Sequence, residues 1–296
     1  MVLALTPAAA SAPSARGPAH IVDVLIAERA PRLTASPIWP LVRPGLYALL
    51  GYGKARRMAD AVAARSGPEA LEHVSALLSL EVRATGLERL PATGRCLIVS
   101  NHPTGIADGV AVADAVRQVR SDAVFFANAD ALRVSPRLGE VIIPVEWVEA
   151  KRTREKTRAT LIAARAAFEA ERAVVMFPAG RLARSRDGRL VDPPWAPTAA
   201  SLARKHRVPI VPIHLSGPRS RLFHLFDRVS PELRDITLFH EMLNKAGGRF
   251  DLIVGEPIPP EILDPAPPRS TRALKYHVER ALSDDPEAIF DPEATA

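Results

Sequence analysis

A single cysteine, Cys96, occurs among 296 residues, and it sits inside an apolar run. That excludes a disulfide framework and a thiolate metal cluster, and it makes a reducing cytoplasm the expected setting. Aromatic residues are also scarce, at 5%, which argues against base-stacking platforms. Zinc-ligand spacing, an RNA-binding aromatic signature and a basic heptad region are all missing, so nucleic acid is not an expected partner. No apolar run reaches the roughly 18 residues needed to span a bilayer. The nearest stretch, residues 38–52, is broken by Pro40, Arg43, Pro44 and Gly45. Residues 1–15 are rich in Ala and Pro, yet they lack a basic residue before the apolar part and are interrupted by Pro7 and Pro13. They read as a disordered tail rather than a secretory signal. Internal repeats are absent.

What is present is enough to bury a core, since 47% of residues are hydrophobic. Lys and Arg number 39 against 33 Asp and Glu, a net charge of +6. This balance favours anionic partners: acidic lipids, phosphorylated substrates or an acidic carrier protein.

Residues 21–29 have the spacing of a short amphipathic helix, with Ile21, Val22, Leu25 and Ile26 on one side. Residues 37–52 carry Trp39, Tyr47, Tyr52 and several Leu beside Arg43, Lys54, Arg56 and Arg57. Two readings are open there: an element lying in the headgroup region of a bilayer, or a helical layer over the core with Trp39 buried. A helix is expected over residues 69–80, started by Ser66-Gly67-Pro68. From Glu81 the pattern becomes strands alternating with helices. Strands are expected at residues 81–85, 96–99, 123–127, 141–145, 173–177, 210–215 and 251–254, and helices at 109–119, 153–170, 198–206 and 271–282. Leu161, Ala164, Ala167 and Phe168 share one face of the longest helix. The alternation implies an α/β fold with a mixed, largely parallel central sheet flanked by helices, preceded by an N-terminal helical membrane-docking segment. The expected division is a tail over 1–19, the helical segment over 20–80, the α/β domain over 81–265, and a C-terminal helix and tail over 266–296.

The chemistry gathers around Cys96-Leu97-Ile98-Val99-Ser100-Asn101-His102-Pro103-Thr104-Gly105-Ile106-Ala107-Asp108-Gly109. The apolar run stops at polar residues and a Pro, so it reads as a buried strand delivering His102 to a loop. On one helix the offset between His102 and Asp108 would turn them through about 600°, well apart on the circumference. A bend at Pro103 and Gly105 lets them meet. An imidazole held by a carboxylate is a candidate general base. The plainer alternative is a hydrogen-bonding His102 with Asp108 capping a helix from about Gly109. Nucleophilic attack by Ser100 is disfavoured, because an extended chain points Ser100 and His102 to the same side without a strained nucleophile turn.

A second unusual stretch is Phe177-Pro178-Ala179-Gly180-Arg181. Pro178 cannot extend a central strand, Gly180 permits close backbone approach, and Arg181 and Arg184 offer planar donors for phosphate or carboxylate. A plain turn with exposed arginines is the other reading. Ligands in such sheets gather beyond the carboxyl ends of strands, where both loops fall. Residues 216–244 form a long connection with Arg219, Arg221, Phe223, His224, Phe226, Arg228, Phe239 and His240. It reads as a lid over a lipid site or as a packed helical cover, with His224 and His240 as surface or satisfied residues.

Together with Val208-Pro209-Ile210-Val211-Pro212-Ile213, these blocks resemble the glycerolipid acyltransferase superfamily, in the style of its hemolysin-like bacterial branch. The resemblance runs from about Ile21 to Pro259. Most members place four residues between His and Asp; five stand here, the spacing of the hemolysin-like branch. Most also carry Glu where Ala179 stands, followed by Gly, Thr and Arg. The resemblance implies an O-acyltransferase domain that moves a fatty acyl group from acyl-CoA or acyl carrier protein to the hydroxyl of a lysolipid such as 1-acylglycerol 3-phosphate. With Ala179 in place of Glu, a lyso-aminolipid such as lyso-ornithine lipid is the alternative acceptor. It assigns His102 as the base and Asp108 as its orienting partner. Arg181 and Arg184 are candidates for the headgroup, Phe177, Pro178 and Gly180 form the substrate loop, and Thr104 and Gly105 line the pocket. Neither metal nor cofactor is implied beyond the thioester co-substrate. The expected place is peripheral, on the cytoplasmic face of the inner membrane. A non-catalytic membrane lipid-binding module is the reading from another class.

Overall fold

The computed structural model describes residues 19–146, 151–186 and 189–294; most of the expected N-terminal tail lies outside them. Seven strands make one sheet: β1 (Glu81–Thr85), β2 (Cys96–Ser100), β3 (Val124–Asn128), β4 (Ile142–Val145), β5 (Ala173–Met176), β8 (Ile210–Ser216) and β9 (Arg249–Val254). Two further strands, β6 (Arg184–Arg186) and β7 (Arg189–Val191), pair as a separate antiparallel hairpin. The order across the large sheet is β1-β9-β8-β2-β5-β3-β4. Every pairing in it is parallel except β8 with β9.

All seven expected strands are in this sheet, with ends shifted by two residues at most. The reason is burial: β2, β5 and β8 lie in the middle, and each is an apolar run covered on both faces. Alternation along β2 sends Leu97 and Val99 to one core and Cys96 and Ile98 to the other. The first core is closed by the helices Arg154–Glu169, Thr198–His206 and Pro267–Tyr276, the second by Gly67–Leu78 and Ile106–Val116. Of the residues expected to share one face of the longest helix, Ala164, Ala167 and Phe168 are buried and Leu161 is 40% exposed. Burial of Cys96 pushes its thiol up to about 11. Pro212 is tolerated in β8 because it lacks only the N–H that would face β9: its carbonyl still accepts from the Gly255 amide at 2.9 Å, while the regular pairing ends at Ile213 and resumes with the bridge from Ile210 to Ile258.

A third core joins the N-terminal helices to the connection after β8. Val22, Ile26, Leu50, Ala55 and Ala59 pack with Ile236, and with Trp39, Tyr47, Leu222 and Phe226 partly buried around them. The long connection is therefore helical, with Arg221–Val229, Pro231–Asp235 and Leu238–Leu243 forming a packed cover. On its other side, the helix Trp39–Leu49 leaves Ile38, Leu41, Val42 and Leu49 in solvent. Among the described residues, no helix is long and apolar enough to cross a membrane.

Candidate active site

β2 and β5 are neighbours in the sheet, so the loops that leave their carboxyl ends meet. This adjacency brings His102 to Phe177, whose ring stacks on the imidazole at 4.7 Å between centroids. Asn101 splices β2 to β8: its side chain donates to the Leu215 carbonyl at 2.8 Å and accepts from the Leu215 amide at 2.7 Å. His102 is clamped through its backbone, its carbonyl accepting from Ala183 at 3.0 Å and its amide donating to Asp192 at 3.1 Å. The chain then turns through Gly105, whose φ of 114° is a conformation L side chains rarely adopt.

Asp108 is the third residue of the helix Ile106–Val116, which starts earlier than the residue 109 expected, because that carboxylate caps it. Its Oδ2 accepts from the Thr104 amide at 2.9 Å and the Gly105 amide at 3.0 Å, and it lies 2.8 Å from His102 Nδ1. Its Oδ1 accepts from the Thr104 hydroxyl. The two readings of Asp108 are therefore both realised, capping and imidazole contact in one side chain. An ionised carboxylate can only accept, so Nδ1 carries the proton and Nε2 carries the lone pair. Burial opposes charge on His102, but the Asp108 hydrogen bond and the charges of Asp108 and Asp192 outweigh it, and the pKa is raised. The His102 side chain keeps 18% exposure while Asp108 has none.

Thr104 and Gly105, expected to line the acceptor pocket, are buried parts of this turn instead. A Cβ at Gly105 would fall 3.2 Å from Leu182. Phe177 is half-buried, Pro178 is buried and its carbonyl accepts from Ala196, and Gly180, with φ of 61°, closes a turn on the Phe177 carbonyl. Arg181 is exposed, and Arg184 is 55% exposed and 4.0 Å from Asp227. The structure thus brings this loop to His102 at Phe177 and Ala183 but keeps its two arginines in solvent. The Ser100 hydroxyl is buried and donates to the Asn101 carbonyl at 3.1 Å, so it is not directed at the imidazole.

Two groups escaped the sequence reading. Asp192, just after β7, holds the His102 amide and also accepts from Trp195 Nε1 at 3.0 Å, while its own amide donates to Glu279 at 2.9 Å. Burial and the nearby Glu279 charge push its carboxyl up to about 7, against the Trp195 hydrogen bond and the His102 charge. The only local signal was an acid set between Val191 and Pro193-Pro194-Trp195. Glu241 and Lys245, an i,i+4 pair that reads as a solvated helix surface, are both buried, 3.8 Å apart. Neither Glu241 carboxylate oxygen has a hydrogen-bond donor among the described residues. Burial lowers the Lys245 pKa, opposed by the charges of Glu241 and Asp108. Among the described residues, no three His, Cys, Asp or Glu side chains converge to hold a metal ion.

An imidazole with Nδ1 tethered and Nε2 free can take a proton from a hydroxyl. Among the described residues, the Ser100 hydroxyl is directed elsewhere and Cys96 is buried in β2, so the imidazole is suited to a hydroxyl brought by a substrate. The family model described as Acyltransferase matches residues 51–272. The lyso-glycine lipid O-acyltransferase of Phocaeicola vulgatus is 29% identical over 204 residues, covering 67% of this chain and 71% of its own. The enzyme of the same name from Bacteroides thetaiotaomicron is 27% identical over 204 residues, covering 67% and 73%. Among solved structures, the 1-acyl-sn-glycerophosphate (LPA) acyltransferase PlsC from Thermotoga maritima superposes with a TM-score of 0.48 at 16% identity, over 88% of this chain and 97% of that one.

Proposed function

Because the chain belongs to the Acyltransferase family, we propose that it acylates the hydroxyl of a lysolipid, drawing the acyl group from a thioester of coenzyme A or acyl carrier protein. The observation that carries this reading is the 2.8 Å contact between His102 Nδ1 and Asp108, which leaves Nε2 as the base. His102 Nε2 takes the proton of the acceptor hydroxyl as its oxygen bonds to the thioester carbonyl carbon. The tetrahedral adduct then expels the thiolate, and the proton on Nε2 passes to that sulfur, leaving an ester and a free thiol. Asp108 keeps the productive tautomer and stabilises the imidazolium that forms between the two steps.

For the acceptor we favour a lyso-aminolipid whose headgroup ends in a carboxylate, such as lyso-glycine or lyso-ornithine lipid. Two relatives are lyso-glycine lipid O-acyltransferases, and Ala179 stands where glycerol-phosphate acyltransferases carry Glu. Arg181 and Arg184, solvated beside the site, suit an acidic headgroup. A peripheral position at the cytoplasmic face of the inner membrane is supported by Leu41 at 84% and Ile38 at 56% exposure, with Arg43, Lys54, Arg56 and Arg57 exposed around them.

The test is thiol release and product mass from an acyl thioester with lyso-glycine lipid, lyso-ornithine lipid and 1-acylglycerol 3-phosphate. His102→Ala should remain folded and lose about 10²–10⁴-fold in rate. Acylation of 1-acylglycerol 3-phosphate alone would replace the headgroup assignment. A wild type as inert as His102→Ala on all three would leave a lipid-binding module.

A further inference from the structure

A cavity of about 700 Å³ opens beside this site, lined by Arg219, Arg221, His224 and Arg228 with Leu190 and Leu225. It runs along one face of the helix Arg221–Val229, through Arg221, His224, Leu225 and Arg228. Arg221 and Arg228 are exposed and, among the described residues, have no carboxylate partner. The acid nearest in sequence, Asp227, is engaged by Arg234 at 2.8 Å. Three guanidinium groups around one apolar-edged space form a fork-shaped set of donors suited to phosphate.

Position selects among the reactants. Leu190 stands two residues before Asp192, whose carboxylate holds the His102 amide at 3.1 Å. At ~3.3 Å per strand residue, two such steps and one side-chain hydrogen bond put the cavity wall within roughly 10 Å of the His102 amide. In a lysolipid the reacting hydroxyl lies within a few bonds of the acidic headgroup. In a thioester of coenzyme A or carrier protein, the sulfur lies a whole pantetheine arm away from the phosphate. We propose that this cavity seats the phosphate of the acyl donor's pantetheine arm, held by Arg219, Arg221 and Arg228, with Leu190 and Leu225 along the arm's apolar part. The assignment rests on the thioester reading above and is independent of which lysolipid accepts.

The experiment compares acyl-phosphopantetheine with acyl-pantetheine, which lacks the phosphate, in the full chain and in Arg221→Gln/Arg228→Gln. In the wild type the phosphate should raise kcat/KM about tenfold or more, a typical effect of charge-assisted pairing. In the double variant the ratio should fall to near one, and Arg221→Lys/Arg228→Lys should recover part of it. Calorimetric titration with phosphopantetheine, tight in the wild type and lost in the Gln variant, gives the same answer without turnover. Inertness toward every acceptor would thus sink the proposed reaction while the titration still decides the cavity. A phosphate advantage that survives in the Gln variant, no advantage in the wild type, or a rise in acceptor KM instead of donor KM would each overturn the proposal.

Discussion

The turn that carries His102 and Asp108 and the cover above it are built in opposite ways. In the turn, Asp108 is fully buried and accepts from the Thr104 amide and hydroxyl, the Gly105 amide and the His102 ring. In the cover, Arg221 and Arg228 are exposed to water, and Glu241 keeps two buried carboxylate oxygens with no donor among the described residues. A base whose partner is already locked needs no rearrangement at the moment of reaction. Solvated guanidinium groups, by contrast, lose little by exchanging water for an incoming anion. The difference separates a rigid part suited to proton transfer from an open part suited to recognition.

The comparison breaks most directly at Asp108. Asp108→Asn removes the anion from Nδ1 and turns part of the acceptor into a donor facing the Thr104 and Gly105 amides. Steady-state kinetics should show kcat/KM lower by up to about 10⁴-fold, the scale of neutralising such an aspartate, and by no more than in His102→Ala. The pH profile tests the same contact. Because the His102 pKa is raised, the imidazole gains its proton and stops acting as a base at a pH above its ordinary 6.5, so wild-type kcat/KM should fall on the acid side from above that value. In Asp108→Asn burial acts with much less opposition, and the acid limb of the residual activity should move downward.

A smaller effect concerns the backbone side of His102. Burial and the Glu279 charge push the Asp192 carboxyl up to about 7 in the fold, from an ordinary 3.8. Folding therefore takes up a proton between those values, and this group's contribution to stability declines as pH rises from about 4 to about 7. Raised His102 slopes the same way and remains when Asp192 is replaced. Denaturant midpoints at about pH 5 and about pH 8 should fall more steeply in the wild type than in Asp192→Asn. An equal fall in both would show that Asp192 is ionised throughout.

The smallest effect on stability sharpens the contrast from outside. Leu41→Asp, at a position 84% exposed, should change unfolding free energy by no more than about 0.5 kcal/mol. Flotation with anionic vesicles should nevertheless show weakened binding. Unchanged flotation would remove the apolar face of Trp39–Leu49 from the membrane reading.

Much of the fold was legible because the central strands are buried on both faces, and such strands are written as unbroken apolar runs like Cys96-Leu97-Ile98-Val99. The meeting of His102 and Asp108 was legible for a local reason, since Pro103 and Gly105 bend the chain within a few residues. Asp192 was not, because its role depends on a partner ninety positions away. Arg184–Arg186 and Arg189–Val191 had no apolar alternation to mark them as strands. Thr104 reads as a small polar loop residue, and only its burial against Asp108 makes it part of the turn's framework. Glu241 and Lys245 carry the spacing of an exposed helix pair, and only tertiary packing, of Leu238–Leu243 against both Ile106–Val116 and Tyr52–Val62, buries them.

By itself, then, the sequence determined the strands of the large sheet, the single buried thiol, the excess of positive charge and the bend joining His102 to Asp108, because each depends on residues close along the chain. Tertiary structure alone decided which loops share an end of the sheet, which carboxylates lie in the interior and which arginines surround a cavity. Those properties come from pairings such as β2 with β5 and from helices folding back over the sheet, between positions too far apart for any local pattern to encode.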